Sequence, residues 1–446
     1  MSPEKRPHVV VLGGGFAGIT AIKELAKHDF DITLVDRRNH HLFQPLLYQV
    51  ATAGLSAPDI AQPLRHLFSG HDNVTTLMDE VESIDPKQKR VNMKGHDLNY
   101  DYLLLGLGAQ TGFFGNDSWA RHTMGLKTLN EATDIRLKFL TAFEKAEVES
   151  DPEERKRLLN FAVIGGGPTG VEMAGAMAEL ARRVLVEDFR RIDPSHATIH
   201  LVEAADRLML MYDEELSEYT RKRLEDMGVS VHLNKPVTGI HEGLVEMGDE
   251  SLEVEAIIWA AGVEANRVTR NMGDLPLERD GRIKVEDDLS VPGHPEVFAI
   301  GDIASIEDDK GQQVPGVAPA AMQMGKHAAK QLIAEQVGKP RKPFHYFDKG
   351  SMATIGRSSA IAQFAGLQIR GFLAWIAWLA IHLLFLMGMR NRLSVFINWM
   401  WSYISWQKGA RIITGQGYVR TPRPLAPGYA AQGSAMPESS EEKVQS

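Results

Sequence analysis

VVVLGGGFAG, residues 9–18, is the stretch on which the reading of this chain turns. A short β-branched run meets glycines at 13, 15 and 18 and passes into residues 19–25, whose apolar positions have helical spacing. The pattern predicts strand, tight turn and helix. In that arrangement Gly13 makes the turn, Gly15 leaves room for a pyrophosphate to approach the backbone, and Gly18 lets helix and strand pack closely. The helix N-terminus attracts the phosphate charge. A second strand, residues 32–35, then delivers Asp36, 18 residues after Gly18, where a carboxylate accepts hydrogen bonds from ribose hydroxyls.

The device occurs twice. FAVIGGGPTG, residues 161–170, is again an apolar strand with glycines at 165, 167 and 170, followed by a helix from Val171 and a later strand, 199–202, ending in Glu203. A lone Gly-x-Gly-x-x-Gly is equally a flexible turn; strand before, helix after and acid downstream, found twice, point to two dinucleotides.

At 446 residues the chain is long enough for two or three domains. It has no cysteine, which excludes disulfides, thiolate metal sites and cysteine nucleophiles, so redox chemistry must rest with a bound cofactor. No basic region followed by an apolar stretch opens the chain, and a cytoplasmic enzyme body is expected. The net charge of −9 opposes nucleic acid as a partner, yet it hides a division. Residues 341–423 hold 11 Lys or Arg against one acid, Asp348, so this segment carries +10 and the remainder −19. Five of the seven tryptophans lie there too: Trp375, Trp378, Trp399, Trp401 and Trp406. A basic, Trp-rich region is the composition of something that meets an anionic membrane surface.

In order, the chain reads as alternating strands and helices. After Asp36 comes RRNHHLFQPLLY, residues 37–48, then a helical pattern over 59–68, a strand over 74–81, and YLLLGLGA, 102–109, a strand closing on glycines. Adjacent His40 and His41 point in different directions and have no partner ligands nearby, so a metal is not expected. Residues 113–155 are polar and helical in pattern; IIWAAG, 257–262, is a buried strand closing on glycine; VFAIGD, 297–302, presents Asp302 at a strand's carboxyl end, where ligands of open α/β sheets lie. The second unit reads as an insertion within the first.

The two glycine units, the FQPLLY run, the AAG closing strand and the FAIGD strand together resemble the two-dinucleotide-domain flavoprotein reductases, and most closely the type II, non-proton-pumping NADH:quinone oxidoreductases. The resemblance implies an α/β fold with two Rossmann-like dinucleotide-binding domains, the second inserted in the first, plus a C-terminal membrane-associating helical region. The domains would be 1–112 with 290–335 for FAD, 113–289 for NADH, 336–420 for quinone and membrane, and a disordered tail over 421–446, rich in Pro, Gly, Ala, Ser and Glu. By position, Gly13, Gly15, Phe16, Ala17, Gly18 and Asp36 would take the pyrophosphate and ribose of non-covalent FAD. Val81 would contact adenine through its backbone, Asp302 the ribityl-pyrophosphate, and Arg37, Gln44 and Gly108 would complete that site. Gly165, Gly167, Gly170, Glu203 and Gly262 would hold NADH, with Glu172 near flavin and nicotinamide. Glu172, Gln323 and Lys349 are the implied catalytic residues. One departure stands at the quinone segment, where Pro319 replaces the first glutamine of the family's Ala-Gln-x-Ala-x-Gln pattern and Gln323 keeps the second.

Residues 371–389 form an uncharged run long enough to span a bilayer. A second segment follows at once, with Leu393, Phe396, Ile397, Met400 and Ile404 in one stripe and Arg390, Arg392, Lys408 and Arg411 nearby. Tandem amphipathic helices of this kind lie in the interface, so monotopic attachment at the cytoplasmic face is expected, with a homodimer left open. The activity implied is NADH oxidation with electron transfer to a membrane quinone. The competing reading is an NADH-responsive flavoprotein sensor whose C-terminus binds a membrane or partner.

Overall fold

The computed structural model describes residues 6–273, 275–405 and 409–413. Trp406, Lys408 and the 421–446 tail lie outside the described residues. Both glycine units fold as strand, turn and helix: His8–Leu12, Phe16–Leu25 and Asp31–Asp36 in the first, Asn160–Ile164, Pro168–Glu179 and Thr198–Val202 in the second. Residues 9–12 and 161–164 are continuous apolar runs because these central parallel strands are buried on both faces.

Six strands form one sheet in the order Ser290–Val291, His294–Ala299, Tyr102–Leu105, His8–Leu12, Asp31–Asp36, Val74–Met78. A four-stranded parallel sheet runs Val229–His232, Thr198–Val202, Asn160–Ile164, Ala256–Trp259. In sequence this second sheet falls between Tyr102–Leu105 and His294–Ala299, which are neighbours in the first, so the second unit is an insertion. The chain crosses between the sheets through an antiparallel pair, Ala109–Thr111 with Val263–Ala265. Ala265, Met272, Ile283 and Leu289 already pack in the first sheet's core, ahead of residue 290, where the sequence alone draws the return.

Several local expectations change. The helical pattern over 59–68 is broken, because Pro63 lacks an amide donor: Ala57–Ile60 is a single turn closed by a Ser56/Asp59 capping box, Ala61–Pro63 pairs with His40–Leu42, and Leu64–Leu67 is a second turn. The strand over 74–81 ends at Met78, and Val81–Asp85 opens a separate three-stranded antiparallel sheet. Of residues 113–155, the long helix is Leu129–Val148, with Pro152–Leu158 a second; the stretch before them is turn and 3-10 helix. Helix Leu129–Val148 is fixed to the second sheet by Glu255, a buried carboxylate bound by Lys138 at 2.7 Å, Lys145 at 3.2 Å and Arg157 at 3.1 Å.

The C-terminal region is an antiparallel sheet, Ser351–Thr354, Ala360–Phe364 and Leu367–Gly371, followed by helices Phe372–Phe385 and Met389–Ser405. The uncharged run breaks after Phe385, with Gly388 at φ +83°. At about 1.5 Å per residue the first helix rises roughly 21 Å, short of the ~30 Å hydrocarbon core. No described helix is long and apolar enough to cross a membrane. The second helix docks on the 57–63 segment through Asn391 to the Pro58 carbonyl (3.1 Å), Ser394 to Asp59 (2.7 Å) and, from the loop before it, the Met387 carbonyl to Gln62 (2.9 Å).

Helix Ala318–Gln336 lies against Phe16–Leu25 at such close range that a Cβ on Gly325 would land on the Ala17 carbonyl oxygen. Gly325→Val should therefore cost about 2–4 kcal/mol and lower Tm by roughly 4 °C or more. Gly70→Val, where a Cβ meets open space, is the control. Equal melting of the two variants, by calorimetry, would show that the helix pair tolerates separation.

Candidate functional site

The glycines divide into two kinds, identically in both units. Gly13 sits at φ +104° and a Cβ there would strike the Gly106 backbone; a Cβ on Gly18 would strike the Gly13 carbonyl. Gly165, at φ +110°, faces the Ala260–Ala261 backbone, and Gly170 faces the Gly165 carbonyl. Gly15 and Gly167 have nothing within 4 Å of the Cβ position. They are the N-caps of Phe16–Leu25 and Pro168–Glu179, with no side chain bonded to either cap and no acid in either first turn. Four glycines make the turn and the close packing, and two leave open ground before a helix N-terminus, the shape and polarity a pyrophosphate needs.

The acids are placed identically too. Asp36 accepts from the Gly14 amide and the Arg38 amide, both at 2.7 Å. Glu203 accepts from the Gly166 amide at 2.5 Å and the Ala205 amide at 2.8 Å. Two backbone donors fix each carboxylate beside its cradle with lone pairs left for ribose hydroxyls. Burial pushes the Asp302 carboxyl up, opposed by the Lys127 ammonium. No described group donates a hydrogen bond to it, so this acid stands ready for a hydroxylated ligand, and together with the Gly15 opening it makes the first cradle fit FAD. Val81 is buried at the start of its strand, Gly108 is at φ +68°, Gln44 begins a 3-10 turn, and Arg37 is exposed beside Asp36. Phe16 packs edge-on against His41 at 5.0 Å, and His41 donates from Nδ1 to the Gly14 carbonyl at 3.0 Å. Burial holds His41 down to about 4, so it stays neutral, a support for the glycine turn.

Glu172 stands where the second unit meets the first and the C-terminal sheet. The Thr354 amide donates to its Oε1 at 3.4 Å, and burial pushes its carboxyl up to about 8. Thr354 Oγ1 pairs with the Tyr48 hydroxyl at 3.0 Å, Gln49 donates to that hydroxyl at 3.0 Å, and Trp399 donates to Gln49 at 2.8 Å. A cavity of about 740 Å³, counting its open mouth, lies along this chain of contacts. Trp375, Trp378 and Trp399 line it, so three of the tryptophans that mark this region as one that meets a membrane face inward, and Trp401 is the exposed one among those described.

Gln323 does not present a free amide. It donates to the Phe347 carbonyl at 3.0 Å and accepts from the Phe347 amide at 3.0 Å, clamping the irregular segment that carries Lys349. Lys349 is exposed, with Nζ 5.7 Å from the Phe385 ring. Gly262 closes the second sheet's edge under the Phe114 ring. Lys127 and Thr354 were missed by sequence reasoning, since neither belongs to a motif and each reaches the site from a distant part of the chain.

The outer face of the two C-terminal helices is apolar and exposed, and Leu393, Phe396, Ile397, Met400 and Ile404 all lie on it. Of the basic residues expected to meet lipid, Arg392 is bonded to the Leu384 and Leu386 carbonyls and Arg411 is paired with Asp188, while Arg390 is exposed.

Because the Glu172 carboxyl is raised in the fold, the native state holds its proton between the ordinary carboxyl value and about 8. Stability from this group is therefore lost as pH rises through that window. Glu172→Gln should melt progressively higher than wild type from about pH 5 to 8 and equal it near pH 4. A Tm difference independent of pH would put the carboxyl in bulk water.

Residues 7–325 match the family model for pyridine nucleotide-disulphide oxidoreductases, and residues 348–405 match the NDH2 C-terminal domain. The chain is 40% identical over 435 residues to the type II NADH:quinone oxidoreductase Ndh of Mycobacterium tuberculosis, covering 94% of this chain and 93% of that one. It is 42% identical over 428 residues to NdhA of the same organism, covering 92% and 90%. The solved structure of Plasmodium falciparum NDH2 in complex with NADH superposes with a TM-score of 0.84 at 20% identity, over 92% of this chain and all of that one, which shows a shared fold. A sulfide:quinone oxidoreductase from Aquifex aeolicus shares the fold less closely, with a TM-score of 0.67 at 19% identity over 90% and 95%. The absence of cysteine leaves thiol chemistry no place here, and the chain belongs to the type II NADH:quinone oxidoreductase family.

Proposed function

We infer that this protein oxidises NADH through FAD and delivers the electrons to a membrane quinone, without proton pumping. The observation that carries the reading is the same open ground before a helix N-terminus in both units, with Glu172, on the second unit's helix, bonded to the C-terminal sheet. Bound FAD would supply hydride acceptance from NADH and two-electron delivery to quinone. The chain binds and orients. Gly15 and Asp36 serve the pyrophosphate and ribose of FAD, Asp302 its ribityl hydroxyls, and Val81, Arg37, Gln44 and Gly108 enclose it. Gly167 and Glu203 receive NADH, whose nicotinamide side reaches Gly262. Glu172, protonated near neutrality, holds a proton at its carboxyl beside the cavity, and Gln323 fixes the segment that brings Lys349 to the C-terminal helices. Those helices lie in the lipid interface by their apolar face, with Arg390 toward anionic headgroups, at the cytoplasmic face where NADH is available. A homodimer through part of that face is compatible with this attachment.

Purified protein should be yellow and should oxidise NADH over many turnovers when a soluble quinone is added. A single turnover would favour a sensor, and a colourless folded protein would remove the FAD assignment. Leu393→Glu with Ile397→Glu places two charges on the exposed stripe and should release the protein from anionic vesicles in a sedimentation assay; persistent binding would put the anchor elsewhere.

Glu203 also sets nucleotide choice. Its carboxylate would face the 2′-phosphate of NADPH at a few ångströms, a cost of about 1–4 kcal/mol, or roughly tenfold to several-hundredfold in favour of NADH. Glu203→Gln should raise kcat/KM for NADPH far more than it changes that for NADH. Equal use of both nucleotides by the wild type would show that Glu203 is away from the ribose.

A further inference from the structure

Phe114 is 75% exposed and sits at φ +52°, a conformation in which a bulky residue is an outlier. Gly115 follows at φ +90°, and the Asn116 amide donates to the Phe113 carbonyl at 2.9 Å, so Phe114 and Gly115 are the central pair of a tight turn. Such turns favour Asn-Gly, and a phenylalanine in the first position is strained. The protein gains no core from it. The ring lies on the Gly262 backbone, its Cζ 2.7 Å from where a Cβ would stand, and 6.2 Å from the Trp259 ring. Trp259 is itself held rigid, donating from Nε1 to the Gly112 carbonyl at 2.9 Å and packing on Phe113 and Trp119. A strained, exposed aromatic on a rigid platform is the kind of outlier that marks a functional position.

Sheet order says what it faces. Strand Asn160–Ile164, which leads into the second cradle, lies between Thr198–Val202, which leads to Glu203, and Ala256–Trp259, which leads to Gly262. With the pyrophosphate over Gly167 and the adenosine ribose on Glu203, the other half of the dinucleotide must extend across the carboxyl end of Ala256–Trp259. Phe114 stands at that end. We propose that the Phe114 ring packs against the nicotinamide ribonucleotide half of NADH and screens it from water. The proposal rests on reading the second cradle as the NADH site.

Phe114→Gly tests it without endangering the fold, because glycine is at home at positive φ and Tm should hold or rise. Loss of one aromatic contact should raise KM for NADH roughly threefold to tenfold. KM for the soluble quinone should not move, nor should the inhibition constant of ADP, which carries only the adenosine half. Phe114→Tyr should restore the wild-type KM for NADH. An unchanged KM for NADH in Phe114→Gly would overturn the proposal, and weakening of ADP by the same factor would overturn it by placing the ring on the adenosine half. Calorimetric titration of NADH and ADP into each variant reads the same contrast without turnover. A wild type that binds NADH but passes no electrons to quinone would count against the oxidoreductase reading, leaving this contrast measurable.

Discussion

Both cradles depend on one backbone contact: the approach of a helix to the turn that feeds it, Gly18 against the Gly13 carbonyl and Gly170 against the Gly165 carbonyl. A methyl group at either position would push the helix away and turn its first amides off the phosphate. Once the helix is seated, the middle amide of the turn is free to bond the acid of the next strand, Gly14 to Asp36 and Gly166 to Glu203. Sheet, open helix N-terminus and the acid beside it are therefore set by one close approach, and the protein builds it twice.

The C-terminal helices are tied to this machinery by hydrogen bonds that cross four elements. Trp399 reaches Gln49, Gln49 and Thr354 reach Tyr48, and Thr354 reaches Glu172. A helix pair that presents Leu393, Phe396 and Ile404 outward thus presents Trp375, Trp378 and Trp399 inward to the cavity beside Glu172. An exposed apolar surface and the lining of the cavity are two faces of the same helices.

What could be read in the sequence follows from the range of the interactions involved. Glycine spacing, strand burial and the acid after the second strand are local, and the places of Gly13 to Asp36 and Gly165 to Glu203 in the turns were legible because each is fixed within one βαβ unit. The inserted order was legible from the repeat. The 59–68 segment misled because its apolar spacing is helical while Pro63 and pairing with His40–Leu42 break it. The direction of each tryptophan was not legible because composition gives no facing: an inward Trp399 and an outward Trp401 are the same letter. Lys127, Thr354 and Phe114 were invisible for a stronger reason, since each acquires its place only when distant segments meet. The left-handed backbone at Phe114 has no sequence signal beyond the glycine after it.

The two cradles are equal in geometry and unequal in cover. Over the first, His41 braces the Gly14 carbonyl, Arg37 and Arg38 follow the acid, and Lys127 faces Asp302 from the other unit. After Glu203 come Ala204 and Ala205, with Arg207 beyond them, and the Met209 amide returns to the Gly166 carbonyl. Cations close to a pyrophosphate slow its escape, and affinity within one binding mode is mostly a matter of escape. A resident cofactor needs that retention, whereas a nucleotide consumed in each cycle must leave as readily as it arrives. The divergence of one repeated device, with a histidine brace and adjacent arginines at one copy and two alanines after the acid at the other, gives the two cradles unequal means of retaining a dinucleotide.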